Sequence, residues 1–528
     1  MLFDVSRRKT VFLAFMIAGL LLTVSAYYSA ETASNGLIRE TGIRLALARA
    51  DLAYLLAYQI PSTVPAARAA TPIPRIAQSV PVLLYHGEDA ASITTPFSTA
   101  TFIDQMRTLK ENGWRTVTMA QFLAFERGEA TLPDRSFLLT FDDARRDAYY
   151  ATDPVLKDLG FTAVMFVITN FSMPDNGDTP INGFYLSKAE LATMAASGRW
   201  DIESHGAQDH LPYAVPTATS TANALALVPG EHFLSNLFWL PQKDRIETPA
   251  EYAGRVRQDL VNARDTLQED FGTPVVAYAY PYNDFGQESV NYPSANTVLG
   301  QVVPSIYPLA FYQTWAGNGD SFDYPDPAGY FTKRIEPPPT WDGQHLLAVL
   351  EGGRAKALPY KTSSFGVDWQ TNWGDASSTA SSTLALAAAP DSTGAAVFLD
   401  GTERWKNYRI DAKVAWQAGT ISLIARHTET DTPYLDCAFS QDYLYLERHT
   451  KNTHVTLART PYAPPPLPTT ATISMTVDGT SASCDAYGAS ASASVTDVPS
   501  AGGIGASVWD TPLGTARSTL ESISVYAL

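Results

Sequence analysis

The run Phe137-Leu138-Leu139-Thr140-Phe141-Asp142-Asp143 ends an apolar stretch with two adjacent carboxylates. Burying unpaired charge is costly, so such a pair is expected to hold a cation, to move a proton, or both. Taken alone, its plainer reading is the N-cap of a following helix. Further on, Trp200-Asp201-Ile202-Glu203-Ser204-His205-Gly206-Ala207-Gln208-Asp209-His210 places two histidines five residues apart. That spacing does not stack them on one helix face, so they converge only in a loop or turn. Alone, each reads as a surface or capping histidine. With Asp143 they make a set of two histidines and one carboxylate, which suits a catalytic divalent metal that keeps positions open for water. Asp142 is then left free as a base.

The elements that must position these groups follow a βα rhythm. Strand-like runs at Val80 to Tyr85, Ser136 to Phe141, Thr162 to Ile168, Trp200 to Glu203 and Pro274 to Tyr280 alternate with helical patterns. One helix carries Phe102, Met106 and Leu109 on one face, one opens at the capping box Ser187-Lys188-Ala189-Glu190, and one runs from about Glu251 to Phe271. This α/β arrangement builds a parallel sheet with its chemistry at the C-terminal strand ends, where Asp142 and Asp143 emerge. Past Leu358, Ser, Thr, Ala and Gly dominate, and 359–394 reads as a linker. Short alternating runs then recur at Tyr408 to Trp416, Thr420 to Arg426, Tyr443 to Arg448, Thr472 to Val477, Ser481 to Tyr487 and Leu520 to Tyr526. They predict an all-β sandwich over 395–528.

A chain of 528 residues is expected to hold two or three domains. Its net charge of -17 argues against nucleic acid or anionic membrane surfaces as main partners, because both require a cationic footprint. At the start, Arg7, Arg8 and Lys9 precede the uncharged apolar run Val11 to Ala26. Residues 1–30 therefore read as a signal anchor or signal peptide, and the uncleaved anchor is the preferred reading; the rest of the chain is exported. Residues 31–79 read as a linker, proline-rich from Pro61 to Pro74, with a short helix over Gly42 to Tyr58. The two cysteines, Cys437 and Cys484, are compatible with a disulfide in an exported protein or with two buried thiols.

Four segments taken together, Val80-Pro81-Val82-Leu83-Leu84-Tyr85-His86-Gly87, Leu139 to Asp143, Glu203-Ser204-His205 with His210, and Ala279-Tyr280-Pro281-Tyr282, resemble the ordered motifs of the polysaccharide deacetylases with a NodB-type domain, carbohydrate esterase family 4. The opening segment and the histidine spacing look most like the branch acting on poly-β-1,6-N-acetylglucosamine. The resemblance implies a distorted (β/α) barrel of NodB type over 80–358. It implies that Asp143, His205 and His210 hold a divalent metal, zinc, and that Asp142 is the general base. It further implies that the backbone N–H of Tyr282 faces the developing oxyanion and that His86 protonates the leaving amine. The C-terminal segments Trp405 to Ile410 and Gly502 to Trp509 resemble concanavalin-A-like jelly rolls. That domain reads either as glycan-binding, through Tyr434, Tyr443 or Tyr445, or as a spacer.

Three departures from the family pattern stand out. Ala144 replaces the usual Gly, Gly206 the usual Ser or Thr, and no Arg precedes Pro281 to pair with the base. The insertion from Leu211 to Pro249 reads as a groove wall or as ordinary packing. Tyr312 and Trp315 read as core or as a sugar subsite, and Arg334 as an active-site residue or a salt-bridge partner. The expected function is metal-dependent removal of N-acetyl groups from an N-acetylhexosamine polysaccharide, in the cell envelope or outside the cell and anchored by the N-terminal membrane segment. The alternatives are a non-catalytic glycan-binding protein on the same scaffold, or a deacetylase of peptidoglycan, chitin or O-acetyl esters.

Overall fold

The apolar runs read as strands pair in parallel and close on themselves. The computed structural model describes residues 76–87, 97–174, 177–221, 224–314, 322–362, 364–378, 383–428, 432–450 and 453–528. Within it, the described residues up to Gln313 with Pro325–Gln344 form one compact unit, and those of Thr314–Tyr324 with His345–Leu528 a second. The N-terminal run, the 42–58 helix and Trp315 lie outside the described residues. Among the described residues no helix is long and apolar enough to cross a membrane.

Seven strands build the barrel of the first unit: β1 (Val80–Tyr85), β2 (Ser136–Phe141), β3 (Ala163–Val167), β4 (Trp200–Ser204), β5 (Ala277–Ala279), β6 (Leu309–Thr314) and β7 (Phe331–Ile335). Each is hydrogen-bonded to the next in chain order, and β7 returns to β1, so the sheet closes as a barrel. Parallel registers such as Leu84↔Thr140 and Val167↔Ser204 bring the C-terminal ends of β1 to β4 together. Val80, Val82, Leu138, Val164, Phe166, Ala277, Ala279, Leu309 and Phe311 share one buried cluster. Because side chains alternate along a strand, the face that buries Leu138 continues through Thr140 to Asp142, and the face of Val82 continues through Leu84 to His86. The opposite face of β2 packs Phe141 against Tyr85, Phe102 and Trp200. The expected helices are present at Thr99–Glu111, Lys188–Ala196 and Pro249–Phe271, and the last two carry complete capping boxes.

The second unit is a sandwich of two antiparallel sheets. Tyr408–Ala418 alternates buried and more exposed residues along its length. Tyr408, Ile410, Val414 and Trp416 from one sheet meet Ile421, Leu423, Leu435 and Phe439 from the other in a single core. The stretch 359–394 is not a linker: it contains strands at Tyr360–Lys361, Trp369–Trp373, Asp375–Ser378 and Leu384–Ala387. Their small residues hide the alternation, and their partners are far along the chain, as in Leu384↔Leu520 and Trp369↔Leu399. Cys437 and Cys484 are bonded to each other, joining the two sheets.

Candidate metal and catalytic centre

All six residues singled out for chemistry meet at the C-terminal end of the barrel. β2 ends at Phe141, and Asp142 continues its inward face into the barrel mouth. Asp143 and Ala144 then adopt left-handed backbone angles, φ 72° and 53°. The reversal leaves both carboxylates 3.6 Å from His205 Nε2, but only Asp143 faces His210 and only Asp142 meets an arginine. Asp143 Oδ1 lies 3.6 Å from His205 Nε2 and 3.7 Å from His210 Nε2. Asp142 is 2% exposed and receives both nitrogens of the Arg334 fork, at 2.6 and 2.7 Å.

Burial alone would raise the Asp142 carboxyl, but the Arg334 guanidinium and the neighbouring His205 and His86 reverse the effect and hold it below the usual carboxylate range. Arg334 comes from β7 and lies over the rings of Phe166 and Phe311. No arginine precedes Pro281, and the arginine paired with Asp142 comes from a different strand: Arg334 is the salt-bridge partner of the candidate base. A bidentate pair of this kind fixes direction as well as charge.

The histidines are oriented from behind. His205 Nδ1 lies 2.8 Å from the Ala279 carbonyl, and His210 Nδ1 lies 3.2 Å from Asp209 Oδ1. Both Nε2 atoms are left to face the carboxylates, His210 Nε2 towards Asp143 and His205 Nε2 between Asp142 and Asp143. Burial, with the neighbouring His210, lowers His205 to about 4, and burial lowers His210 to about 4, so both rings are neutral as metal ligands must be. One candidate ligand atom from each of Asp143, His205 and His210 falls within 4.8 Å of the other two. His210 Nε2 is buried without a hydrogen-bond partner. An orphaned imidazole nitrogen beside a carboxylate and a second imidazole fits a bound divalent cation.

The Gly206 departure has a structural counterpart. A Cβ at this position, φ +74°, would lie 2.0 Å from Asp209 Oδ2. Glycine leaves room for Asp209, which accepts from Tyr278 Oη at 2.6 Å and steadies His210. Burial pushes the Asp209 carboxyl up to about 7 even against that hydrogen bond. A carboxylate behind the ligand takes the place of the absent hydroxyl. Sequence reasoning passed over Asp209, although an acid immediately before a candidate ligand was the available signal.

His86 continues β1 into the same mouth, its Nε2 4.0 Å from Asp142 Oδ2. Its Nδ1 lies 2.9 Å from Glu336 Oε1, and Glu336 Oε2 accepts from Gln313 Nε2 at 2.6 Å. Burial opposes a charge on His86, but the Glu336 hydrogen bond and the charges of Asp143 and Asp142 outweigh it and raise its pKa. Glu336 was also missed, because 250 residues separate it from its histidine. Tyr282 stands in the short 3-10 turn Pro281–Asn283 at φ 55°, and its Oη donates to the His210 carbonyl at 2.6 Å. Tyr312, weighed as a sugar platform, is instead stacked on Phe331 with ring centroids 4.1 Å apart.

Residues 129–297 match the family model described as polysaccharide deacetylase. The chain is similar to poly-beta-1,6-N-acetyl-D-glucosamine N-deacetylase of Escherichia coli K12, with 26% identity over 193 residues, 35% of this chain and 27% of that protein. It is also similar to the enzyme of that name from Staphylococcus epidermidis, with 35% identity over 106 residues, 20% of this chain and 35% of that protein. The matched part thus spans only about a quarter to a third of these relatives. A solved de-N-acetylase from Aggregatibacter actinomycetemcomitans is 20% identical, with a TM-score of 0.40, covering 51% of this chain and 98% of that one.

Proposed function

We propose, from a chain whose first domain belongs to the polysaccharide deacetylases, that this protein removes N-acetyl groups from a poly-N-acetylglucosamine-like polysaccharide outside the cytoplasm. The observation that carries the reading is the division of labour at the end of β2. Asp143 faces two neutral histidines, while the adjacent Asp142 is held ionised by Arg334. Asp143, His205 and His210 would hold the metal, and two imidazoles with one carboxylate and open positions suit zinc. A divalent cation there supplies Lewis acidity, polarising an acetyl carbonyl and acidifying water.

The chain's own groups do the rest. Asp142 takes the proton of the attacking water as its oxygen bonds to the acetyl carbon. The Tyr282 N–H donates to the carbonyl oxygen as that oxygen gains charge. His86, kept basic by Glu336, protonates the sugar nitrogen as the carbon–nitrogen bond breaks, which leaves acetate and a free amine. The Gly206 and missing-arginine departures are what motivate the alternative of a non-catalytic glycan binder; Asp209 beside His210 and Arg334 beside Asp142 support the enzyme reading against it. The bonded cysteines agree with an oxidising compartment, and the basic-flanked run Val11 to Ala26 supplies the membrane anchor of this reading.

The test is metal content together with acetate release from N-acetylated glycans. His205→Ala and His210→Ala are expected to lose metal and activity together. Asp142→Asn retains metal and loses activity by roughly 10²–10⁴-fold, the usual range for general-base loss. Purified protein that neither binds a divalent metal nor releases acetate from any N-acetylated glycan overturns the reading.

A further inference from the structure

Tyr282 and Asn283 are consecutive non-glycine residues in the left-handed region, φ 55° and 58°. Such residues, Tyr282 more than the better-tolerated Asn283, persist in this region only where their surroundings hold them. One support comes from inside the barrel: Asn283 exchanges two hydrogen bonds with the Gln313 backbone at 2.7 and 3.0 Å. A second is the Tyr282 Oη bond to the His210 carbonyl, and a third comes from the 211–249 insertion. Ser235, fully buried, donates from Oγ to Asp284 Oδ1 at 2.5 Å. His232 lays its ring on the Tyr282 ring, centroids 4.9 Å apart and planes 16° apart, with its Nδ1 3.4 Å from Asp284 Oδ2.

The insertion is itself tied down. Asn236 Oδ1 accepts from Val290 N, Leu237 N donates to Asn291 Oδ1, and the guanidinium of Arg255 lies 3.8 Å from the Phe238 ring centroid while pairing with Glu247. A segment anchored this firmly, touching the turn at its ring and at its carboxylate, can hold a strained conformation that the turn's own sequence does not favour.

We propose that the insertion is a positioning strap for the oxyanion donor, with His232 and Ser235 holding the Pro281–Asp284 turn so that the Tyr282 N–H faces the reacting carbonyl. His232 is a positioning residue acting through Tyr282. The inference rests on the deacetylase reading for its consequence, though the holding of the turn stands apart from it.

Its test uses the full chain with divalent metal added. An oxyanion donor acts in the transition state, so His232→Ala lowers kcat about tenfold and leaves KM within about twofold, a loss short of deleting the donor outright. His232→Phe keeps the stacked ring and recovers most of that loss, and Ser235→Ala lowers kcat in the same direction. Metal content stays at the wild-type level in all three. Independently of activity, amide hydrogen exchange across 281–286 speeds up in His232→Ala. If exchange is unchanged, the strap does not hold the turn and the proposal fails even for an inactive protein. If exchange speeds up but KM alone rises, His232 contacts sugar and the positioning role is overturned. Wild-type protein that shows no deacetylation, with exchange responding as expected, refutes the deacetylase reading and leaves the strap in place.

Discussion

Two turns at the mouth of the barrel solve the same backbone problem in opposite ways. After β2, Asp143 and Ala144 are both left-handed, and after β5, Tyr282 and Asn283 are both left-handed. The first turn is held from within: Ala144 is fully buried and Asp142 is clamped by Arg334 in the barrel interior. The second stands in the open, with Tyr282 44% exposed, and leans on an insertion for one of its supports. A conformation that the core over-determines is tied to the fold itself. One held by a surface segment can be loosened while the barrel stays intact.

The largest break in this contrast is Arg334→Ala. It leaves a buried carboxylate unpaired, and removing one partner of such a pair destabilises by about 3–5 kcal/mol, read by chemical denaturation. The sign with pH follows from the depressed Asp142 carboxyl. In the wild type its stabilising contribution is present above the unfolded carboxylate value, near 3.9, and is lost only as pH falls through the lower folded value. Without Arg334, burial dominates and the carboxyl rises, so the acid limb of the kcat/KM profile moves to higher pH. A profile that keeps its acid limb where it was would separate Arg334 from the base.

Gly206→Ala tests the loop that carries the two histidines. The added Cβ displaces Asp209, and the loss of its hold on His210 is expected to weaken metal affinity by about 10–100-fold, measured by titration against a chelator. Unchanged affinity would mean that Asp209 does not orient the ligand. The smallest effect belongs to Ala144→Gly. It relieves a left-handed alanine, for a gain of no more than about 1 kcal/mol, partly offset by the freer unfolded chain. Thermal denaturation should show a small rise in stability with kcat unchanged, as expected of a turn already held from inside.

These contrasts also mark what was legible before any coordinates. The turn after β2 could be read because its chemistry is local: two acids follow an alternating apolar strand, and alternation alone puts Asp142 inside. The candidate ligand histidines, His205 and His210, stood out only once they were set beside Asp143. The partners that set their charge were not. Arg334 lies 192 residues from Asp142, and only the closing of β7 onto β1 brings the two together. Glu336 arrives by that same closure. The strap escaped because the apolar residues of the insertion, such as Phe233 and Phe238, look like ordinary packing and are indeed packed around Arg255. What matters beside them is one histidine and one serine whose partners lie about 50 residues downstream. In the second unit, alternation with large residues revealed strands such as Tyr408–Ala418, whereas serine- and alanine-rich strands such as Asp375–Ser378 lack the hydrophobic contrast on which that reading depends.

The Cys437–Cys484 bond gives the second unit a covalent topology as well as a fold. It closes a ring of chain that contains the strands Tyr443–Thr450, Thr453–Pro461 and Thr469–Asp478. A single proteolytic cut anywhere inside that ring leaves one covalently continuous molecule, because both cut ends remain tethered through the sulfurs. The fragments part only after reduction. The barrel, whose residues include no cysteine, has no such safeguard, so a cut there divides the chain at once. A protein with this architecture would therefore carry its damage unevenly, concealed within the disulfide ring and immediate elsewhere in the chain.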